Sequence, residues 1–263
     1  VKPSLHLRSI HLRVADLTRS VDFYSRQLGF ELLTTTQTGA ELSAPSLSGK
    51  RAPLLQLTED RSARPAPVDA AGLFHAALLL PDRAALARWL RRAGDLNVNF
   101  QGFSDHGVSE AIYLTDPDGN GLEFYADRPR SAWPRENGEL AMVTLPLDLP
   151  SLLAEASPSS EPLLSGAHWG HFHFRVTNLD RSEKFYSDSL GVTLTQRYGT
   201  SARFLGAEGY HHHIGLNTWG HPRLPHPEMG LGLVETAYVR PHAGPRRTLR
   251  DPDGITLHIS GSD

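Results

Sequence analysis

Two hydrophobic periods alternate along this chain. Residues 11–29 read HLRVADLTRSVDFYSRQLG: a short extended run from His11, a capping Asp16, then Leu17, Val21, Tyr24 and Leu28 at helical spacing before Gly29. The same order returns at 173–191, HFRVTNLDRSEKFYSDSLG, with Asn178 as the cap, Leu179, Phe185, Tyr186 and Leu190 on the apolar face, and Gly191 as the stop. A third run, GLFHAALLLPD at 72–82, predicts a strand, and DRAALARWLRRAG at 82–94 predicts an amphipathic helix after it. Ala111 to Leu114 and Leu122 to Tyr125 are short β-forming runs either side of Asp116-Pro117-Asp118-Gly119, a turn in which proline presets φ and glycine tolerates the conformation that closes it. That ending, DPDGNGLEFYAD at 116–127, recurs as DPDGITLHISGS at 251–262.

The repeats predict an α+β protein: tandem βαβββ modules paired into curved mixed sheets, as two homologous domains at 5–128 and 168–261. The segment between them, 129–167, is rich in Pro, Ser and Leu and reads as a connector, flexible around Ser157 to Pro162. The halves are unequal. The interval from Glu235 to His258 is about half that from His75 to Glu123, so the fourth module is truncated and lacks the counterpart of the 82–94 helix. Its sheet face could be covered by a second subunit, which makes a homo-oligomer an expectation.

Composition narrows the function. The chain has 263 residues, no cysteine and a formal net charge of −3, which excludes disulfides and thiolate metal sites and gives no basic surface for nucleic acid. No apolar run approaches the ~18 residues of a membrane span, and the first residues lack a signal-peptide layout, so a cytoplasmic location is expected. Histidine is abundant, 14 residues, and falls where strands are expected.

Glu123 lies inside an apolar strand, where an unpaired carboxylate is costly. A lone strand histidine is usually structural. His11 and His75, however, hold equivalent places in successive modules, and with Glu123 they make two imidazoles and one carboxylate, a set suited to Fe(II), with Mn(II) also fitting. At equivalent places of the second half stand His173, Glu235 and His258, with two residue types exchanged; a second site and a decayed duplicate are both open readings. Strand alternation would put His211 and His213 on one face and His212 on the other, in a cluster that could equally be a polar strand.

The repeated modules with these ligand positions resemble the vicinal oxygen chelate (glyoxalase/bleomycin resistance/extradiol dioxygenase) superfamily over most of the chain. Within it, His106, five residues, Ile112-Tyr113, two residues, Asp116-Pro117, Asp118, Gly119, three residues and Glu123 resemble the signature of catechol 2,3-dioxygenase-type ring-cleaving enzymes, with Ser104 as the one departure. The resemblance implies a non-haem Fe(II) or Mn(II) enzyme whose partners are a small aromatic diol and dioxygen. It implies His11, His75 and Glu123 as metal ligands, and His106 and Tyr113 as hydrogen-bonding groups at the substrate or dioxygen. Such enzymes also carry an acid–base histidine on a strand before the second metal histidine. In the first half that region, PLLQLTED, has Gln56; in the second, GYHHHIGLN supplies His213 as the candidate. A glyoxalase-type lyase or isomerase is the alternative, with Gln56 near the place of its fourth ligand, and a non-catalytic small-molecule-binding protein of the same fold is the third reading.

Overall fold

The computed structural model describes residues 5–45, 52–241 and 243–261. The first module comprises β1 (His6–Val14), α1 (Leu17–Asp22) widening into a π-helical turn over Phe23–Gln27, β2 (Glu31–Thr35), β3 (Gly39–Ser43) and β4 (Leu55–Glu59). The second comprises β5 (Gly72–Leu80), α2 (Arg83–Asp95), β6 (Phe100–Asp105), β7 (Ser109–Thr115) and β8 (Gly121–Asp127). The connector holds β9 (Arg135–Glu136), β10 (Glu139–Leu140), β11 (Leu145–Pro146) and α3 (Leu149–Ala154). The third module is β12 (His168–Arg175), α4 (Leu179–Leu190), β13 (Thr193–Tyr198), β14 (Ala202–Gly206) and β15 (Ile214–Asn217). Among the described residues the fourth has only β16 (Gly232–Val239), β17 (Arg247–Arg250) and β18 (Thr256–Ser260), without a helix. The predicted caps Asp16 and Asn178 accept from the backbone amides of Arg19 and Arg181, and Asp82 caps α2 in the same way through Ala85.

The modules do not pair in chain order. One sheet runs β17-β18-β16-β1-β4-β3-β2 and joins the first module to the fourth; the other runs β11-β6-β7-β8-β5-β12-β15-β14-β13 and joins the second to the third. The seams are antiparallel, β1 with β16 and β5 with β12. Each sheet therefore draws one module from each sequence half.

Period-2 alternation divides each sheet into a core face and an outer, concave face. On β1, Ile10, Leu12 and Val14 are buried in the shared core while His11 stands on the other face. On β12 the core residues are Phe172 and Phe174, leaving His171 and His173 opposite; on β8 they are Leu122, Phe124 and Ala126, leaving Glu123. The truncated fourth module still buries Leu233, Tyr238, Leu257 and Ile259 in that core, with Tyr238 edge-on to Phe172. Trp89 of α2 stacks on Phe124 at 3.8 Å. Among the described residues no helix is long and apolar enough to cross a membrane.

Candidate metal centre

Three adjacent strands, β8, β5 and β12, form the floor of a cavity of about 540 Å³. Their registers set His171, Ala77 and Glu123 in one row across the sheet, and place His75 opposite His173. Ala77 sits between His171 and Glu123, and its small side chain leaves room for both to close over it. The result is a buried group: His75 Nε2 lies 3.0 Å from Glu123 Oε2, His171 Nε2 lies 3.2 Å from the same oxygen, and the two Nε2 atoms are 3.2 Å apart. These donors could hold a metal ion. Burial opposes charge on Glu123, but the two imidazoles outweigh it and hold the carboxyl well below its usual range. Burial pushes His171 down to about 4, so its imidazole is neutral at pH 7.

The sequence expectation named His75 and Glu123 but placed His11 with them. The structure does not bring His11 there: β1 belongs to the other sheet, where His11 stands opposite Glu235 and its Nε2 meets Thr58 Oγ1 at 2.8 Å. His171 takes the third place. It lies two residues before His173, and its counterpart in the first module is Ser9: Ser9 faces Ala237 as His171 faces Ala77. No repeat therefore marked it. His173, which does align with His11, stands beside the group with its ring 4.9 Å from that of His75. Asn217 Nδ2 donates to its Nε2 at 3.0 Å, so the proton sits on Nδ1. Gly215 makes room for this ring; a Cβ there would lie 2.7 Å from it. The second triad suggested by sequence, His173 with Glu235 and His258, is likewise split between the sheets.

His106 and Tyr113 stand together at the cavity wall. Tyr113 faces Glu123 across the β7–β8 pair, and His106 lies in the turn before β7. Val143 O can only accept, so the 2.7 Å contact fixes a proton on His106 Nδ1. With that proton on Nδ1, the lone pair of Nε2 faces Tyr113, whose OH donates to it at 2.7 Å. Burial first, and the Glu123 charge second, raise the Tyr113 hydroxyl well above its ordinary pKa, so it keeps its proton.

The three consecutive histidines are arranged differently from simple alternation, because they precede β15 in a bend rather than lie in a strand. His212, not His213, lines the cavity, with its ring 4.1 Å from that of His171. His213 points away: its Nδ1 accepts from the Ala207 amide at 3.2 Å, its ring packs on Tyr210, and burial pushes it down to about 3. His211 Nε2 donates to Asp127 Oδ1 at 2.9 Å. Its Nδ1 then accepts from His212 Nδ1 at 2.8 Å, which leaves His212 Nε2 as a lone-pair acceptor. His213, the candidate that the resemblance suggested, is therefore not at the cavity, and His212 is.

The remaining walls are largely apolar, with Phe74, Phe204, Met142, Val143 and Trp219 among them. Residues 96–105 contribute Gln101, Gly102 and Ser104 to the wall.

Comparison with known proteins agrees with this architecture. The chain is 43% identical over 242 residues to the catechol-2,3-dioxygenase of Bacillus subtilis (strain 168), a match covering 90% of this chain and 83% of that protein. The fold is shared with glyoxalase I from Zea mays (TM-score 0.57, 18% identity, covering 98% of this chain and 92% of that one). It is also shared with the cppA protein from Streptococcus pneumoniae TIGR4 (TM-score 0.60, 11% identity, 98% and 99%). A family model matches residues 6–124 and 168–239, so that both sequence halves carry it: the chain belongs to the Glyoxalase/Bleomycin resistance protein/Dioxygenase superfamily.

Proposed function

We propose that the protein is an extradiol-type ring-cleaving dioxygenase for a catechol-like aromatic diol, with Fe(II), or Mn(II) in its place, held by His75, His171 and Glu123. The observation that carries this reading is the spacing of the three donor atoms, 3.0, 3.2 and 3.2 Å. Donors about 2.1 Å from a common centre and at right angles to one another are separated by about 3.0 Å, the edge of one octahedral face. Hydrogen bonding alone satisfies the group poorly, since two imidazole nitrogens and one carboxylate oxygen converge on one point and His171 Nδ1 is buried without a partner. The name of the Bacillus subtilis relative supports the same chemistry.

A bound divalent metal would lower the pKa of a diol hydroxyl and bring diol and dioxygen together in the three positions left open. The chain's own groups do the rest. His212 Nε2 accepts the second hydroxyl proton, with Asp127 and His211 fixing its tautomer. Tyr113, kept protonated, has a hydroxyl that can turn its hydrogen bond from His106 Nε2 to a substrate or dioxygen oxygen. His173 and the apolar walls hold the ring and exclude water.

A glyoxalase-type reaction would need a fourth donor on the strand beside the first ligand strand. Gln56 occupies that register position beside His11, in the other sheet, whereas Gly215 occupies it beside His173 and offers no side chain. Anaerobic loading with Fe(II), followed by oxygen-uptake measurements with a panel of catechols, tests the proposal. One dioxygen consumed per ring opened is expected. Metal binding with no uptake, but with isomerisation of a thiol adduct, would replace it with the glyoxalase reading, and neither metal nor uptake would leave a binding protein. Glu123→Ala is expected to abolish metal binding at this group, measured as metal content after dialysis.

A further inference from the structure

On the outer face of the seven-stranded sheet, His11, Glu235 and His258 occupy the places that His173, His75 and Glu123 hold in the other. His11 faces Glu235 as His173 faces His75, and Ala237 faces His258 as Ala77 faces Glu123. The residue set is again two imidazoles and one carboxylate, drawn from the first and last modules. Glu235 stands between the rings: His258 Nε2 is 2.8 Å from its Oε2, and His11 Nδ1 is 4.0 Å from its Oε1. The far nitrogen of each ring is tied to a threonine hydroxyl, His11 Nε2 to Thr58 Oγ1 at 2.8 Å and His258 Nδ1 to Thr248 Oγ1 at 2.9 Å. Glu235 can only accept, so His258 Nε2 carries the proton of their hydrogen bond and Nδ1 accepts from Thr248; a metal ion at Nε2 would displace that proton, and the threonine hydroxyl would then accept from Nδ1, the outer hydrogen bond that metal-ligating histidines use. The group is also reachable, with side-chain exposures of 22% for His11, 29% for Glu235 and 12% for His258.

We propose that His11 Nδ1, His258 Nε2 and Glu235 form a second binding site, separate from the cavity, for a divalent transition-metal ion. The donor set of imidazole and carboxylate suits first-row ions, with zinc-group affinity above that of manganese. The ion replaces the hydrogen bond between His258 and Glu235 and draws His11 Nδ1 inward by the last part of the 4.0 Å gap. Because His11 comes from the first module and the other two ligands from the fourth, the ion would pin the β1–β16 seam.

Equilibrium dialysis against Zn(II) at pH 7.5, with zinc counted per chain, tests this without reference to activity. The wild-type chain is expected to hold two ions, Glu123→Gln one, Glu235→Gln one, and the double variant none. Thr58→Val and Thr248→Val should each weaken the second ion about tenfold while leaving the first unchanged. A Glu123→Gln protein that retains no zinc would overturn the second site, and so would a Glu235→Gln protein that still holds two. A wild-type chain that holds a single ion, unaffected by Glu123→Gln and lost with Glu235→Gln, would refute the proposed dioxygenase centre and leave this site standing. Should Glu235→Gln fail to fold, the Glu123→Gln protein, in which the outer group is intact, decides the question alone, and His258→Gln in that background identifies the ligand.

Discussion

His212 and His213 are neighbours with opposite fates, and their surroundings account for it. His212 faces the cavity with its Nδ1 proton committed to His211, whereas His213 accepts an amide proton and is covered by Tyr210. His212→Gln is therefore expected to lower kcat by about 10²-fold or more, the usual contribution of a positioned acid–base group, with metal content unchanged; steady-state rates alongside metal analysis check this. Loss of the metal together with activity would instead make His212 a support for His171. His213 should report on stability. Its folded pKa of about 3 lies below the ordinary histidine value of 6.5. The unfolded chain takes up a proton as the pH falls through 6.5, and the folded chain does not until near 3, so the stabilisation present above 6.5 is lost as pH falls across that window. The slope is at most about 1.4 kcal/mol per pH unit from this one group. Urea unfolding between pH 7 and 5 should show His213→Gln with a shallower acid decline than the wild-type chain.

Helices, caps and the two Asp-Pro-Asp-Gly turns were legible because their signals are local: a cap three residues from the amide it accepts, a 3.6-residue period, a proline followed by glycine. What the turns do was not. Tyr24 of the first helical segment donates to Asp116 Oδ2 at 2.9 Å, and Tyr186 of α4 donates to Asp251 Oδ2 at 3.1 Å. Asp118 and Asp253 accept from the backbone amides of Ala15 and Thr177, each just before a helix. Each turn thus fastens the end of one module to the start of the helix in its own sequence half, and so ties one sheet to the other. Asp116 is buried, so removing its phenolic donor leaves an acceptor short of a partner. Tyr24→Phe is expected to cost about 1–2 kcal/mol in unfolding free energy, and Tyr186→Phe a similar amount. The candidate ligands divide in the same way. His75 and Glu123 carried signals in the repeat and the signature, whereas His171 has Ser9 as its counterpart and became visible only when β12 was seen beside β5.

The partner of each strand is a property of the whole chain. β1 and β12 share the same alternation, with His11 and Arg13 matched by His173 and Arg175, and nothing within either says whether its seam is made with the next module or with one from the other half. In the folded chain β1 pairs with β16 and β5 with β12, so neither sequence half owns a complete sheet, and the candidate metal group takes His75 and Glu123 from one half and His171 from the other. Cutting the chain in the connector would therefore leave two open seams on each piece, exposing the unpaired edges of β1 and β5 in the first and of β12 and β16 in the second. Either fragment alone is expected to aggregate, or to close its seams with a second copy of itself as a dimer, and to lose the cavity group in both cases. Mixed after refolding, the two fragments should restore a one-to-one complex with cavity-metal binding abolished by Glu123→Ala. Sedimentation and metal content of the separate and mixed fragments measure this directly. A first fragment that stays monomeric, with native-like near-ultraviolet circular dichroism, would mean that consecutive modules can pair by themselves and that the exchange between halves is not required for folding.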